Sequence, residues 1–309
     1  MRVNLMGCDG EVATVRAIME QIRGFMSMRV FIVLLLVGSG ALAQDPLSKA
    51  EELYHRTDYQ TSLTMIRESG LASAAAFGLA GQDLFMLGEY KKASEAFERA
   101  FGLEPANPDY ALWLGRSFGR RAETASPFFA SSYASKARGY FEKAVALDPK
   151  NEQALSDLFD YYLEAPGFLG GGFDKADVIA KRISEQNPAE GHFAQAQLAD
   201  RRKEFDTAEE HLRRAIELTP RKVRRVLDLA RYLAKRGRIS ESEAAFNHAK
   251  EMAPDAPVVS FTRAQIYIEQ KRNLDQAKAL LQQYLRSNLT PDDPSREQAE
   301  KLLQEASGV

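Results

Sequence analysis

Small and bulky residues recur along the chain at helical spacings. In four segments a small residue is followed by a bulky residue four positions later, a small residue three positions after that and a proline five positions further on. Spacings of four and three place these residues on one face of an α-helix, and proline ends the helix because it lacks a backbone N–H. The pattern predicts helices in GEYKKASEAFERAFGLEP (88–105), SYASKARGYFEKAVALDP (132–149), KEFDTAEEHLRRAIELTP (203–220) and GRISESEAAFNHAKEMAP (237–254).

A further helix is predicted before each of these, and it also carries a small residue where the two helices of the pair cross. In pairs without inserted residues, this residue stands twelve positions before the small residue of the second helix. A small side chain lets two helix backbones approach closely, and a bulky residue of the partner fills the remaining space. The pairing predicts an all-α chain with crossings at Gly81, Gly115, Ala196, Ala230 and Ala264.

These residues resemble the tetratricopeptide repeat (TPR), a helix–turn–helix unit of about 34 residues. ALWLGRSF (111–118) supplies the Leu-Gly pair and a following aromatic residue, although Ala111 stands where the family has its first aromatic. About six to seven such units run from a degenerate copy at 49–66 to a last one at 261–285, and a closing helix follows at 295–306. The resemblance implies a right-handed α-solenoid over residues 44–309.

Two insertions separate paired helices, at about 119–135 and 164–173. Both are predicted to be long loops on the same edge of the stack. The second contains three consecutive glycines, but Gly172 is followed by Phe-Asp-Lys and a helix precedes the insertion, so it lacks the strand and the Gly-Lys-Ser/Thr of a phosphate-binding loop. Two interpretations remain: the glycines widen the turn while Phe168 and Leu169 fold back onto the neighbouring unit, or these two side chains are presented to a partner.

Residues 28–43, MRVFIVLLLVGSGALA, have the layout of a secretory signal peptide. They predict cleavage after Ala43 and a periplasmic or extracellular chain with no further membrane span. Residues 1–27 are interpreted as a non-native upstream extension or an n-region; a cytoplasmic extension and a retained membrane anchor are the alternatives. Cys8 is the only cysteine, so the predicted mature chain has none, which suits an oxidising compartment.

The sequence favours no catalytic chemistry. It lacks the nucleophile motif Gly-x-Ser-x-Gly, and its four histidines (His55, His192, His211 and His248) show no paired metal-ligand spacing. His192 takes the repeat's first aromatic position and is expected to pack, whereas His211 and His248 are expected on solvated surfaces. The expectation is therefore a non-enzyme without cofactor or metal, and an enzyme with a site in the inserted loops is an alternative. A net charge of −2 gives no reason to expect nucleic acid as partner.

The resemblance implies that the first helix of each pair lines a concave groove that binds a protein or peptide. Charged residues at the groove positions alternate between basic and acidic patches. Trp113 stands just beside these positions and is expected either at the rim or packed against the next first helix. A second possibility is that the basic stretch 221–238 contacts an anionic envelope polymer. The expected partner-binding residues are Leu112, Trp113, Arg116, Arg120, Asp160, Glu164, Phe168, Leu169, Arg224, Arg231 and Lys235.

Overall fold

The computed structural model describes residues 45–308, and this part of the chain folds into fifteen α-helices without any strand. The predicted signal peptide at 28–43 and the stretch before it lie outside the described residues. None of the described helices is long and apolar enough to cross a membrane. The helices are α1 (Pro46–His55), α2 (Tyr59–Ser69), α3 (Ala74–Met86), α4 (Tyr90–Leu103), α5 (Pro108–Thr124), α6 (Pro127–Leu147), α7 (Glu152–Glu164), α8 (Phe173–Gln186), α9 (Pro188–Arg201), α10 (Phe205–Leu218), α11 (Val223–Lys235), α12 (Ile239–Met252), α13 (Pro257–Glu269), α14 (Leu274–Leu285) and α15 (Arg296–Ser307).

Each helix packs chiefly against its neighbours in the chain. Helices α1 to α14 form seven pairs, and first helices of successive pairs also touch, as α3 does with α5 and α11 with α13. Buried apolar clusters continue through the stack from the first pair to α15. This arrangement confirms the predicted all-α solenoid, in which each unit buries its apolar face only by stacking on the next.

The small residues lie at the helix crossings, as predicted. A Cβ atom on Gly81 would stand 2.8 Å from Cζ of Phe97, and one on Gly115 would overlap the ring of Phe141. In the pair α11–α12, Ala230 is fully buried and its carbonyl accepts a hydrogen bond of 2.8 Å from the Ser242 hydroxyl. These contacts leave no room for larger side chains. The small residues of the sequence pattern are therefore required by close packing of the two helices.

The prolines of the pattern mark helix ends. Helices α4, α6, α10 and α12 each end two residues before the proline of their segment. The closing helix α15 begins after Ser295, whose hydroxyl accepts from the backbone N–H of Gln298, while the Gln298 side chain accepts from the N–H of Ser295. This reciprocal cap satisfies two N–H groups that a helix start leaves unpaired.

The insertion at 119–135 is helical, so the prediction of a long loop there was wrong. Helix α5 continues to Thr124 and α6 begins at Pro127, which leaves only two residues between them. Proline fits the first position of a helix, since no N–H is needed there. The rings of Phe118 and Tyr133 stack at 6.2 Å and join the two extensions. The insertion therefore lengthens both helices of one pair.

The glycine-rich insertion is a compact turn that contains a 3-10 helix at Gly167–Leu169. The backbone φ angles of Gly170 and Gly172 are 87° and 147°. Glycine adopts such positive values readily and other residues rarely do, as expected of these glycines. The Arg138 guanidinium donates to the carbonyl of Leu169 at 3.0 Å and anchors the turn to α6. Phe168 is 81% exposed, so for this side chain the interpretation that it folds back onto the neighbouring unit was wrong, and the alternative of an exposed side chain agrees with the structure.

Candidate functional site

Two adjoining clefts lie along the first helices in the C-terminal half of the stack. The larger, about 570 Å³, is bordered mainly by α9, α11 and α13, and the smaller, about 230 Å³, mainly by α7 and α9. Phe193 and Gln197 line both clefts, so together they form one continuous surface, called the groove below. Its larger cleft combines apolar side chains with a charged margin: Phe193, Tyr232 and Ile266 with Asp200, Asp228, Arg231, Lys235 and Glu269.

Two predicted partner-binding residues, Arg231 and Lys235, border the larger cleft. The Lys235 ammonium pairs with Asp200 across α9 and α11 at 2.6 Å, and Arg231 pairs with Asp228 at 3.5 Å. Both basic side chains remain substantially exposed, at 44% for Arg231 and 60% for Lys235. The ion pairs therefore position these groups without removing them from solvent.

Arg225 contributes ion pairs to this margin from inside the fold. It was not among the residues predicted from the sequence. Its side chain is buried, pairs with Asp228 at 2.5 Å and also pairs with Glu190 on α9. The guanidinium carbon lies 3.9 Å from the centre of the Phe193 ring. A buried arginine requires compensating charge, and here two helices supply it. The sequence carried no specific signal for it, because Arg225 is one of several basic residues in the stretch 221–238.

Arg224 lies outside the clefts and contacts the C-terminal segment. Its guanidinium donates to the carbonyl oxygen of Asp292, at 3.2 Å, in the connection between α14 and α15. Helix α15, which follows this connection, approaches the N-terminal units. The Glu297 carboxylate stands 3.3 Å from where a Cβ on Gly88 would be. Burial, followed by the charges of Asp83 and Asp292, raises the pKa of Tyr54 to about 12.

The predicted residues of α5 are mostly engaged in packing. Leu112 is 2% exposed and belongs to the core, so its assignment to an accessible groove was wrong. Trp113 is half-buried and stacks on Phe97 at 5.6 Å, so it packs against the preceding pair. Arg116 lies over the Trp113 ring at 4.9 Å and pairs with Asp157 on α7 at 2.5 Å.

The remaining charged candidates differ in how far they are paired. Arg120 pairs with Glu123 and donates to the Tyr90 hydroxyl at 3.2 Å. Glu164 pairs with Arg201 on α9. Asp160 is open to solvent and forms no ion pair within residues 45–308.

The exposed aromatic residues of the two insertions lie apart from these groups. Phe128 and Phe129, 85% and 53% exposed, meet edge to face at 5.1 Å near the start of α6. Phe168 projects from the glycine-rich turn, whereas Leu169 is half-buried and its carbonyl accepts from the Tyr161 hydroxyl at 2.9 Å. Because 119–135 is helical, these side chains do not form the predicted pair of adjacent loops.

Two histidines that the sequence places in different helices come together. The Nδ1 atoms of His192 on α9 and His211 on α10 lie 2.8 Å apart. His211 is half-buried, so it lies only partly on the solvated surface expected for it. The repeat register contained a signal, since His192 takes the packing position of the first helix and His211 directly precedes the bulky Leu212 of the second.

Comparison with known proteins gives a consistent picture. The family model of the tetratricopeptide repeat matches residues 79–152 and 190–257. A TPR protein from Parabacteroides merdae superposes with a TM-score of 0.56 at 14% identity, covering 85% of this chain and 97% of its own. A thermophilic TPR protein from Thermus thermophilus gives a TM-score of 0.52 at 19% identity, covering 62% of this chain and 98% of its own. No curated protein matches the sequence significantly.

Proposed function

Because this chain belongs to the tetratricopeptide repeat family, we propose that it is a non-catalytic scaffold that binds an extended protein or peptide segment in the groove. TPR domains bind proteins or peptides, which supports the general class of partner. The observation that carries the proposal for this chain is the larger cleft, where an apolar floor lies beside exposed basic groups held by ion pairs.

The groove is suited to a segment with alternating apolar and charged side chains. An apolar side chain of the partner would enter between Phe193 and Ile266, which line opposite parts of the cleft on α9 and α13. Carboxylates or carbonyls of the partner would meet Arg231 and Lys235. Since the ion pairs already restrict these two side chains, binding orders fewer of their rotamers than it would on an unpaired surface.

We further propose that the chain acts outside the cytoplasm, on the strength of residues 28–43. The alternative role is contact between 221–238 and an anionic envelope polymer. It has less support, because several basic side chains of this stretch are buried or paired. Arg225 is buried, Lys235 pairs with Asp200, and Arg238 pairs with Glu209 and Glu241. Much of the positive charge in the stretch is therefore neutralised within the fold.

A photocrosslinking experiment in intact cells tests the proposed groove. A benzoylphenylalanine placed at Gln197, which lines both clefts, is expected to capture a partner that mass spectrometry identifies. The same probe at Ala244, exposed on the second helix α12, serves as the control. Equal capture of the same protein from both positions would contradict binding in the groove.

Charge reversal provides a second test with the purified partner. The double variant Arg231→Glu/Lys235→Glu is expected to weaken binding about tenfold or more, because both groups border the cleft. The matched control is Arg213→Glu/Arg214→Glu, two exposed and ion-paired arginines on α10. Binding of the parent chain to isolated cell wall that weakens steeply with added salt would instead favour the envelope role.

A further inference from the structure

The contact between His192 and His211 joins the two helices of one unit. Their ring centroids lie 5.1 Å apart, and the Nδ1 atoms face each other at 2.8 Å. Both side chains are half-buried, so solvent and small ions reach them. The helices behind them are held firmly, since Ala196 of α9 and Ala208 of α10 are buried at the crossing. The spacing of the two helices that carry the imidazoles is thus set by packing.

The two nitrogens lie close enough to bind one metal ion together. Two imidazole nitrogens bound at about 2.0 Å lie about 2.8 Å apart when the bond angle at the ion is near 90°, and about 3.3 Å apart in a tetrahedral site. At present the nitrogens point towards each other, so each ring must turn outward to direct its lone pair at a shared ion. That rotation changes side-chain torsions alone and leaves α9 and α10 in place.

A metal ion binds neutral imidazole ligands. Burial, the positive charge of His211 and that of Arg214 lower the pKa of His192, and Glu210 acts in the opposite direction. Arg214 is itself paired with Glu217 at 2.7 Å. Without a metal, the short contact needs one Nδ1–H between the two rings, and protonation of both rings would break it.

We propose that His192 and His211 form a binding site for a divalent transition-metal ion of the Ni²⁺ or Cu²⁺ type. Imidazole ligands suit these ions, and Cu²⁺ stands highest in the general order of affinity for divalent first-row ions. Within residues 45–308 there is no cluster of three or more His, Cys, Asp or Glu side chains arranged for a metal, so the chain supplies two ligands and leaves the other positions to water or to a bound partner. The inference is independent of the proposed function, and it revises the expectation that the chain binds no metal.

Calorimetric titration with Ni²⁺ tests the site. The protein is the full chain without an affinity tag and with Cys8→Ser, because a thiol would compete for the ion. One Ni²⁺ per chain is expected at pH 7.5. His192→Gln and His211→Gln should each weaken the affinity about tenfold or more. The matched control is His248→Gln, a histidine on α12 in the next unit, which should bind as the parent does.

Two further measurements make the result decisive. Far-UV circular dichroism shows whether the glutamine variants keep their helices. Electron paramagnetic resonance of the Cu²⁺ complex of the Cys8→Ser chain should show couplings to two imidazole nitrogens and requires no histidine substitution. The proposal is wrong if the Cys8→Ser chain binds no Ni²⁺, if the folded His192 and His211 variants bind as tightly as it does, or if fewer than two nitrogens couple to Cu²⁺.

Discussion

The guanidinium of Arg224 donates a hydrogen bond to the carbonyl oxygen of Asp292, which is 68 residues further along the chain. The bond connects the start of α11 to the segment between α14 and α15. Most other polar contacts of that segment are local, such as those from Thr290 to Asp293 and from Arg296 to the carbonyl of Ser287. The long-range bond is therefore a specific restraint on where the C-terminal end of the solenoid lies.

We expect Arg224→Ala to loosen residues 286–295. The lost bond lies at an exposed arginine, so it is worth about 1 kcal/mol or less, which corresponds to a decrease of up to about fivefold in local hydrogen-exchange protection. Hydrogen exchange read by mass spectrometry measures this change. Arg221→Ala, at an exposed arginine three residues earlier, is the control and should leave that segment unchanged.

Gly115→Ala is expected to destabilise the protein, because the added methyl would overlap the Phe141 ring at a helix crossing. Overpacking of this kind costs about 1–3 kcal/mol. The matched control, Gly119→Ala, lies in the same helix with nothing within 4 Å, and it should stabilise by about 0.5–1 kcal/mol through helix propensity. Thermal unfolding followed by fluorescence of Trp113, the only tryptophan, compares the two. Equal melting temperatures would contradict close packing at this crossing.

The titration of Asp83 is expected to make the stability of the protein depend on pH. The Asp83 side chain is fully buried, and burial raises its pKa to about 8, although the hydrogen bond from Ser62, at 2.7 Å, acts in the opposite direction. The folded carboxyl thus holds a proton between about pH 4 and pH 8 that the unfolded chain releases, so this group's contribution to stability decreases as the pH rises through that range.

Asp83→Asn removes this titration. Relative to the parent, the variant should gain stability progressively from pH 5 to about pH 8 and level off above it, reaching about 1–3 kcal/mol. Denaturant unfolding at several pH values measures the difference, and Glu51→Gln, at an exposed carboxylate on α1, is the control. A difference that does not change with pH would show that Asp83 is already ionised in the folded protein.

Arg225→Ala should be one of the most damaging single substitutions near the groove. It leaves the carboxylates of Glu190 and Asp228 without their shared buried partner, which costs about 3 kcal/mol. Arg213→Ala, which removes an exposed ion pair with Glu209, should cost less than about 1 kcal/mol. Melting temperatures measured side by side test the contrast, and similar losses for both variants would contradict the role assigned to Arg225.

Local spacing determined the helices and their crossings. An insertion increases the number of residues between Gly115 and its predicted partner helix. The pattern still indicated the close contact that the structure shows with Phe141. Such features depend on residues a few positions apart, and helical geometry converts that spacing directly into a shared face. The same reasoning predicted that Pro254 ends its helix and that a closing helix begins at about Ser295, and in the structure α12 ends at Met252 and α15 begins at Arg296.

Only the tertiary structure decided which side chains meet across helices. Pro127 indicated a loop, but proline is compatible with the first turn of a helix, and stacking of Phe118 with Tyr133 favours the longer hairpin. Leu112 is buried where an idealised register predicted exposure. The pairs His192–His211 and Arg224–Asp292 join residues 19 and 68 positions apart. Their meeting depends on the angles at which successive helices stack, and those angles result from the packing of the whole solenoid, beyond the reach of any local sequence pattern.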